Sequence, residues 1–169
     1  PSSRALIQFT SGSTADPKGV QLTHHAVMTN VRQMVQGMEI SSGDSFVSWL
    51  PAHHDMGLVL KILVPLAVGA PVELLPTSLG HPSRWLEAMA RRRATFTAAP
   101  DSAYRLMLRG RKDAGVHDLS SLRVALNAAE PVRASTLEGF ERTFGLENVM
   151  VAGYGLAEAT VGVSMICLL

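Results

Sequence analysis

The chain has 169 residues, 47% of them apolar and 17% charged, a balance that suits a packed domain and excludes a disordered, charge-rich segment. Its net charge is +1 with no basic stripe, so neither nucleic acid nor an anionic membrane surface is an expected partner. The one cysteine, Cys167, can form no internal disulfide and reads as a buried, inert thiol, which makes a reducing, cytoplasmic compartment the expected location.

In chain order, residues 5–9 read as a strand, followed by a Ser-, Thr- and Gly-rich loop over 10–19. Thr23 suits the N-cap of a helix whose apolar face is Ala26, Val27, Met34, Val35 and Met38, and Ser41-Ser42-Gly43-Asp44 breaks that helix. A strand over 46–50 leads into Pro51-Ala52-His53-His54-Asp55-Met56-Gly57, after which helix-like residues run to Gly69. The apolar run 58–68 holds Lys61 and Pro65 and is shorter than the ~18 residues of a spanning helix, so no membrane span is expected.

Strands over 72–75, 95–99, 123–126 and 149–152 then alternate with helices over 83–93, 101–109 and 134–144, and 160–164 suits a further strand. Arg91-Arg92-Arg93 reads as the solvated C-terminal turn of a helix, where cations suit the macrodipole. This alternation implies an α/β fold, a mainly parallel sheet flanked by helices, with ligands collecting beyond the carboxyl ends of the strands. Pro1-Ser2-Ser3-Arg4 leads straight into a strand without a leader pattern, and the chain stops inside the apolar run 165–169. Both ends read as cut, so 1–169 is expected to be a partial domain with no complete second one.

Four loops follow strands: 10–19, 51–57, 127–131 and 153–158. The first, Thr10-Ser11-Gly12-Ser13-Thr14-Ala15-Asp16-Pro17-Lys18-Gly19, gathers hydroxyls, glycines and a lysine, the equipment for holding phosphate with backbone N–H groups, hydroxyl donors and a mobile cation. It fits neither the P-loop pattern G-x-x-x-x-G-K-[ST] nor the dinucleotide pattern G-x-G-x-x-G. Composition alone suits an ordinary surface turn, and the order of residues decides. The loop resembles T-S-G-S-T-x-x-P-K-G, the phosphate loop of the adenylate-forming superfamily of acyl-CoA synthetases, luciferases and nonribosomal-peptide adenylation domains.

The other loops resemble further motifs of that superfamily in the same order. Tyr154-Gly155-Leu156-Ala157-Glu158 resembles Y-G-x-[TA]-E, which implies a tyrosine against the nucleotide and a glutamate on Mg²⁺, a hard cation that prefers carboxylate oxygen. Asn127-Ala128-Ala129-Glu130-Pro131 resembles N-G-A-E-P, whose backbone lines the adenine and ribose site; Ala128 stands where glycine is usual, and alanine cannot take every conformation glycine can. Trp49-Leu50-Pro51-Ala52-His53-His54-Asp55-Met56-Gly57-Leu58 resembles W-L-P-L-Y-H-D-M-G-L of the fatty acyl-AMP ligases, with Ala52 and His53 in place of Leu and Tyr. A metal site of His53, His54 and Asp55 is disfavoured, because adjacent residues on an extended chain point in alternate directions.

The resemblance therefore implies part of the large domain of an adenylate-forming enzyme, on its fatty acyl-AMP ligase branch. It implies ATP and Mg²⁺ as cofactors, a fatty carboxylate as substrate, and an acyl carrier protein thiol, or free coenzyme A, as acceptor. It assigns Thr10, Ser11, Gly12, Ser13, Thr14 and Lys18 to the β/γ-phosphates, Glu158 to the metal and His54 to the reacting end. Tyr154, Gly155 and the backbone of Asn127, Ala128, Ala129 and Glu130 are expected to hold the nucleoside. An acyl-CoA synthetase and a non-catalytic nucleotide- or lipid-binding relative stay open as alternatives, and the isolated segment is expected to be inactive.

Overall fold

A computed structural model describes residues 2–10, 16–77, 82–109 and 117–167, the side chain of Cys167 excepted. The central sheet has six strands in the order β4-β3-β5-β6-β7-β8: β3 (Phe46–Ser48), β4 (Val72–Leu74), β5 (Phe96–Ala99), β6 (Val124–Asn127), β7 (Met150–Gly155) and β8 (Gly162–Cys167). The first five lie parallel and β8 returns antiparallel beside β7. The helices that alternate with these strands cover both faces, as expected of a parallel sheet.

Alternation along the strands divides the core. Phe46, Phe96, Ala98, Val124, Leu126 and Val151 face one side, where they meet α1 (His24–Gly37), a π-helical turn (Met56–Leu63) and α2 (Val64–Val68). Val47, Ala99, Ala125 and Met150 face the other side and meet α3 (Pro82–Arg92), α4 (Asp101–Arg109) and α5 (Ala134–Phe144). A chain of aromatic contacts, Trp49 to Trp85 to Tyr104 to Phe140, knits the three helices of that second face together. Strands with two covered faces need apolar residues at nearly every position, which is why β5 and β6 are apolar except at Thr97 and Asn127.

Two elements depart from the sequence reading. The first strand, β1 (Arg4–Phe9), lies outside the main sheet; it pairs antiparallel with β2 (Gly19–Thr23) as a separate hairpin. β2 escaped notice because its inward residue Leu22 and half-buried Val20 give only two apolar positions before Thr23 caps α1, accepting a hydrogen bond from the Ala26 N–H at 3.1 Å. The segment after Gly57 is wound as a π-helix, with the Val64 N–H reaching the carbonyl five residues back at Val59, before Pro65 opens α2. The basic run is not freely solvated at its start: Arg91 and Arg92 both pair with Glu73 on β4. Among the described residues no helix is long and apolar enough to cross a membrane.

Candidate functional site

The carboxyl ends of the strands and the β1–β2 hairpin enclose a cleft of about 920 Å³. Thr10 enters it from the hairpin, His53, His54 and Asp55 from the loop after β3, Ala128 and Ala129 from the loop after β6, and Tyr154 to Glu158 from the end of β7. Its inner wall is apolar, formed by Leu6, Met34, Met56, Leu60, Leu126 and Met165. Segments separated by up to the length of the chain thus share one concave surface, polar at the strand ends and greasy beneath, the common form of a small-molecule site.

The hairpin loop is closed at its neck by Thr10 and Lys18. The Thr10 N–H donates to the Lys18 carbonyl and the Lys18 N–H donates to Thr10 Oγ1, both at 3.0 Å. The Lys18 side chain is exposed and lies off the cleft wall. Ser11, Gly12, Ser13 and Thr14 lie outside the described residues. Gln8, buried in β1, donates from Nε2 to the His53 carbonyl at 3.0 Å and so ties the hairpin to the histidine loop. That link was invisible in the sequence, where Gln8 is one polar residue in an apolar strand.

The histidine loop owes its shape to Gly57, where a Cβ would collide with the Pro51 carbonyl oxygen. His54 Nδ1 lies 2.8 Å from Asp55 Oδ1, and the same oxygen accepts the Met56 N–H at 2.6 Å, capping the π-helical turn. The hydrogen bond to Asp55 raises the His54 pKa above its ordinary value, against the opposing effect of partial burial. His54 and Asp55 therefore act on each other as an oriented pair at the cleft rim, and among the described residues no group of three or more His, Cys, Asp or Glu stands ready to hold a metal.

The expected nucleoside wall is narrower than the motif suggested. Ala128 and Ala129 line the cleft, but Asn127 and Glu130 do not. Asn127 ends β6 fully buried and donates from Nδ2 to Asp101 Oδ1 at 3.1 Å. Glu130 accepts from both the backbone N–H and the hydroxyl of Ser102 at 2.8 Å, at the N-terminus of α4, where a carboxylate complements the exposed N–H groups. The two polar residues of the motif are anchors that hold the two alanines in place. The glycine-to-alanine departure at Ala128 costs no strain, since the positive φ falls on Ala129 at 69°.

Tyr154 is an exposed ring on the last turns of β7, and Gly155 must be glycine because a Cβ there would strike the Val161 carbonyl. Glu158 is exposed on the cleft and makes no salt bridge among the described residues, so its carboxylate is available to a hard cation.

The chain is similar to several known proteins and solved structures. The chain is 38% identical to the medium-chain-fatty-acid–[acyl-carrier-protein] ligase TtuA of Teredinibacter turnerae, over 97% of this chain and 27% of that protein. It is 40% identical to the long-chain-fatty-acid–AMP ligase FadD32 of Mycobacterium marinum, over 95% of this chain and 27% of that protein. Among solved structures it matches a fatty acyl-adenylate ligase studied from E. coli and L. pneumophila with a TM-score of 0.91 at 40% identity, covering 98% of this chain and 32% of that one. It also matches the L. pneumophila ligase in complex with acyl adenylate and pyrophosphate with a TM-score of 0.89 at 37% identity, over 97% of this chain and 30% of that one. The chain thus spans under a third of these relatives' length. The model of the family of AMP-binding enzymes matches residues 1–168, and the chain belongs to that family.

Proposed function

We propose that the protein to which this chain belongs uses ATP to convert a fatty carboxylate into an acyl-adenylate with release of pyrophosphate. The observation that carries this reading is the convergence of Thr10, His54, Ala128, Ala129, Tyr154 and Glu158 on one cleft with an apolar floor. In this reading a carboxylate oxygen attacks the α-phosphorus of ATP, the bond to the bridging oxygen breaks, and pyrophosphate leaves with the electron pair. Both reactants are anions and a carboxylate is a poor nucleophile, so the site must orient them and offset the charge that builds on the phosphoryl oxygens.

The apolar floor takes the acyl chain, and Tyr154 and the Ala128–Ala129 backbone take the nucleoside. The loop 10–19, with Lys18, takes the β- and γ-phosphates. His54, held protonated above its ordinary range by Asp55, faces the two anions at the reacting end. Glu158 would hold magnesium through a carboxylate oxygen, and the ion when bound would supply charge neutralisation. The thiol of an acyl carrier protein then attacks the acyl carbonyl, the bond to the AMP phosphate oxygen breaks and AMP leaves, a step suggested by the acceptor in the name of the Teredinibacter relative.

Glu158→Ala in the full-length enzyme tests the reading. Acyl-adenylate formation, followed as pyrophosphate release, is expected to fall by ~10²-fold or more, the usual effect of losing a transition-state charge stabiliser. Near-normal turnover by that variant would remove Glu158 from the reaction. Offering the enzyme free coenzyme A and a carrier protein side by side identifies the acceptor.

A further inference from the structure

Glu158 rides on one turn of 3₁₀-helix, Ala157–Ala159, between β7 and β8. A turn that short does not hold its own position, because its hydrogen bonds are few and poorly aligned. What holds it lies around it. The loop is closed at its neck by the pairing of Gly155 with Gly162 and by the Leu156 N–H donating to the Val161 carbonyl at 3.1 Å. Thr160 ends the 3₁₀ turn with φ 75° and ψ −63°, the strained form of γ-turn, although it is β-branched and buried. Such a conformation is strained and persists only where neighbouring structure supports it.

A further contact to this loop comes from α1. Asn30 is buried between Val27, Val31 and Met34 on the helix face that packs on the sheet. Its carboxamide grips a single residue from both sides: Nδ2 donates to the Gly162 carbonyl at 2.8 Å and Oδ1 accepts the Gly162 N–H at 3.1 Å. An apolar side chain would serve helix packing as well; the amide is needed only to fix the backbone where β8 begins. Gly162 follows Thr160 by two residues, so the grip lies directly beside the strained turn. Asn30 itself does not line the cleft.

We propose that Asn30 is a positioning residue for Glu158, clamping Gly162 so that Thr160 stays strained and the Glu158 carboxylate stays turned into the cleft. The inference rests on the role given to Glu158 above. Asn30→Ala and Asn30→Asp in the full-length enzyme remove the clamp wholly or, for aspartate, lose the donor to the Gly162 carbonyl. The expected result is a kcat for acyl-adenylate formation lower by about 10-fold or more, an unchanged KM for the fatty acid and a higher half-saturating magnesium concentration. Amide exchange over 156–162 accelerates, while α5 keeps its protection.

A folded Asn30 variant within about twofold of wild-type kcat, alongside a crippled Glu158→Ala, overturns the clamp and leaves the function standing. Loss of exchange protection throughout the molecule, with no change specific to 156–162, also overturns it, since that is a fold effect. In the unaltered enzyme the Gly162 amide must be protected, and fast exchange there would refute the clamp even if neither variant folds. An unimpaired Glu158→Ala refutes the reading of the site and this inference with it.

Discussion

His54 Nδ1 and Asp55 Oδ1 lie 2.8 Å apart at the rim of the cleft, and the bond between them favours the protonated form of the imidazole proposed for the reacting end. With its pKa raised by Asp55, His54 keeps its proton above the ordinary range. The sign follows from linkage: the pair's contribution to stability is complete below pH ~6.5 and is lost as pH rises through the folded-state pKa. Asp55→Asn removes the acceptor charge, so the His54 titration, read by imidazole NMR and assigned with His54→Gln, moves to lower pH. The alkaline limb of the adenylation rate is expected to move with it, because in the proposed reaction the lost species is the imidazolium facing the two anions. An unmoved titration would show that Asp55 does not control the proton.

The loop after β6 makes a paired prediction about glycine. Ala128 is buried, lacks a positive φ, and its methyl lies 3.3 Å from where a Cβ on Gly153 would stand. Ala128→Gly restores the family's usual residue but removes a packed methyl and adds backbone freedom, for a loss of about 1–2 kcal/mol. Ala129 is the residue that bears φ 69°. Left-handed backbone costs a non-glycine residue about 1–2 kcal/mol, of which glycine's entropy returns roughly half, so Ala129→Gly is neutral or stabilising by up to about 1 kcal/mol. Denaturant unfolding of the two variants should rank them in that order, and the reverse ranking would relocate the strain.

The contrast between these alanines shows what was legible in the sequence. Residue order within the loops revealed the family, and alternation of strand and helix patterns revealed a mainly parallel sheet with covered faces. Side-chain direction was not legible. Asn127 and Glu130 carry the polar atoms of their motif, yet both point to α4, because Asp101 and Ser102 reach the loop from a strand-end neighbour that periodicity cannot place. Asn30 went unseen for a related reason, since a single amide within a helical stripe of Val27, Val31 and Met34 has no local signature and its partner lies 132 residues away. β2 was hidden by length, being five residues of which only Leu22 is fully inward.

Lys61 offers a test of how much the core tolerates. It sits on the π-helical turn with no exposure and, among the described residues, no hydrogen-bond partner for Nζ, which lies 4.3 Å from the centre of the Phe96 ring and 5.4 Å from that of Phe46. The ring faces would favour an ammonium, but burial is the stronger effect and drives the pKa well below its ordinary value. In the unfolded chain the amine keeps its proton up to pH ~10.4, so between the two pKa values the unfolded state binds more protons and stability rises with pH. Lys61→Met matches the length and removes an unpartnered polar group, which is expected to stabilise the fold by ~1–3 kcal/mol at neutral pH. The gain should shrink as pH approaches ~10.4, where the unfolded amine also becomes neutral. Thermal unfolding of the full-length protein and its Lys61→Met variant across that range measures both features. A variant less stable than the parent at neutral pH would mean that the amine has a partner in solution and contributes to the core.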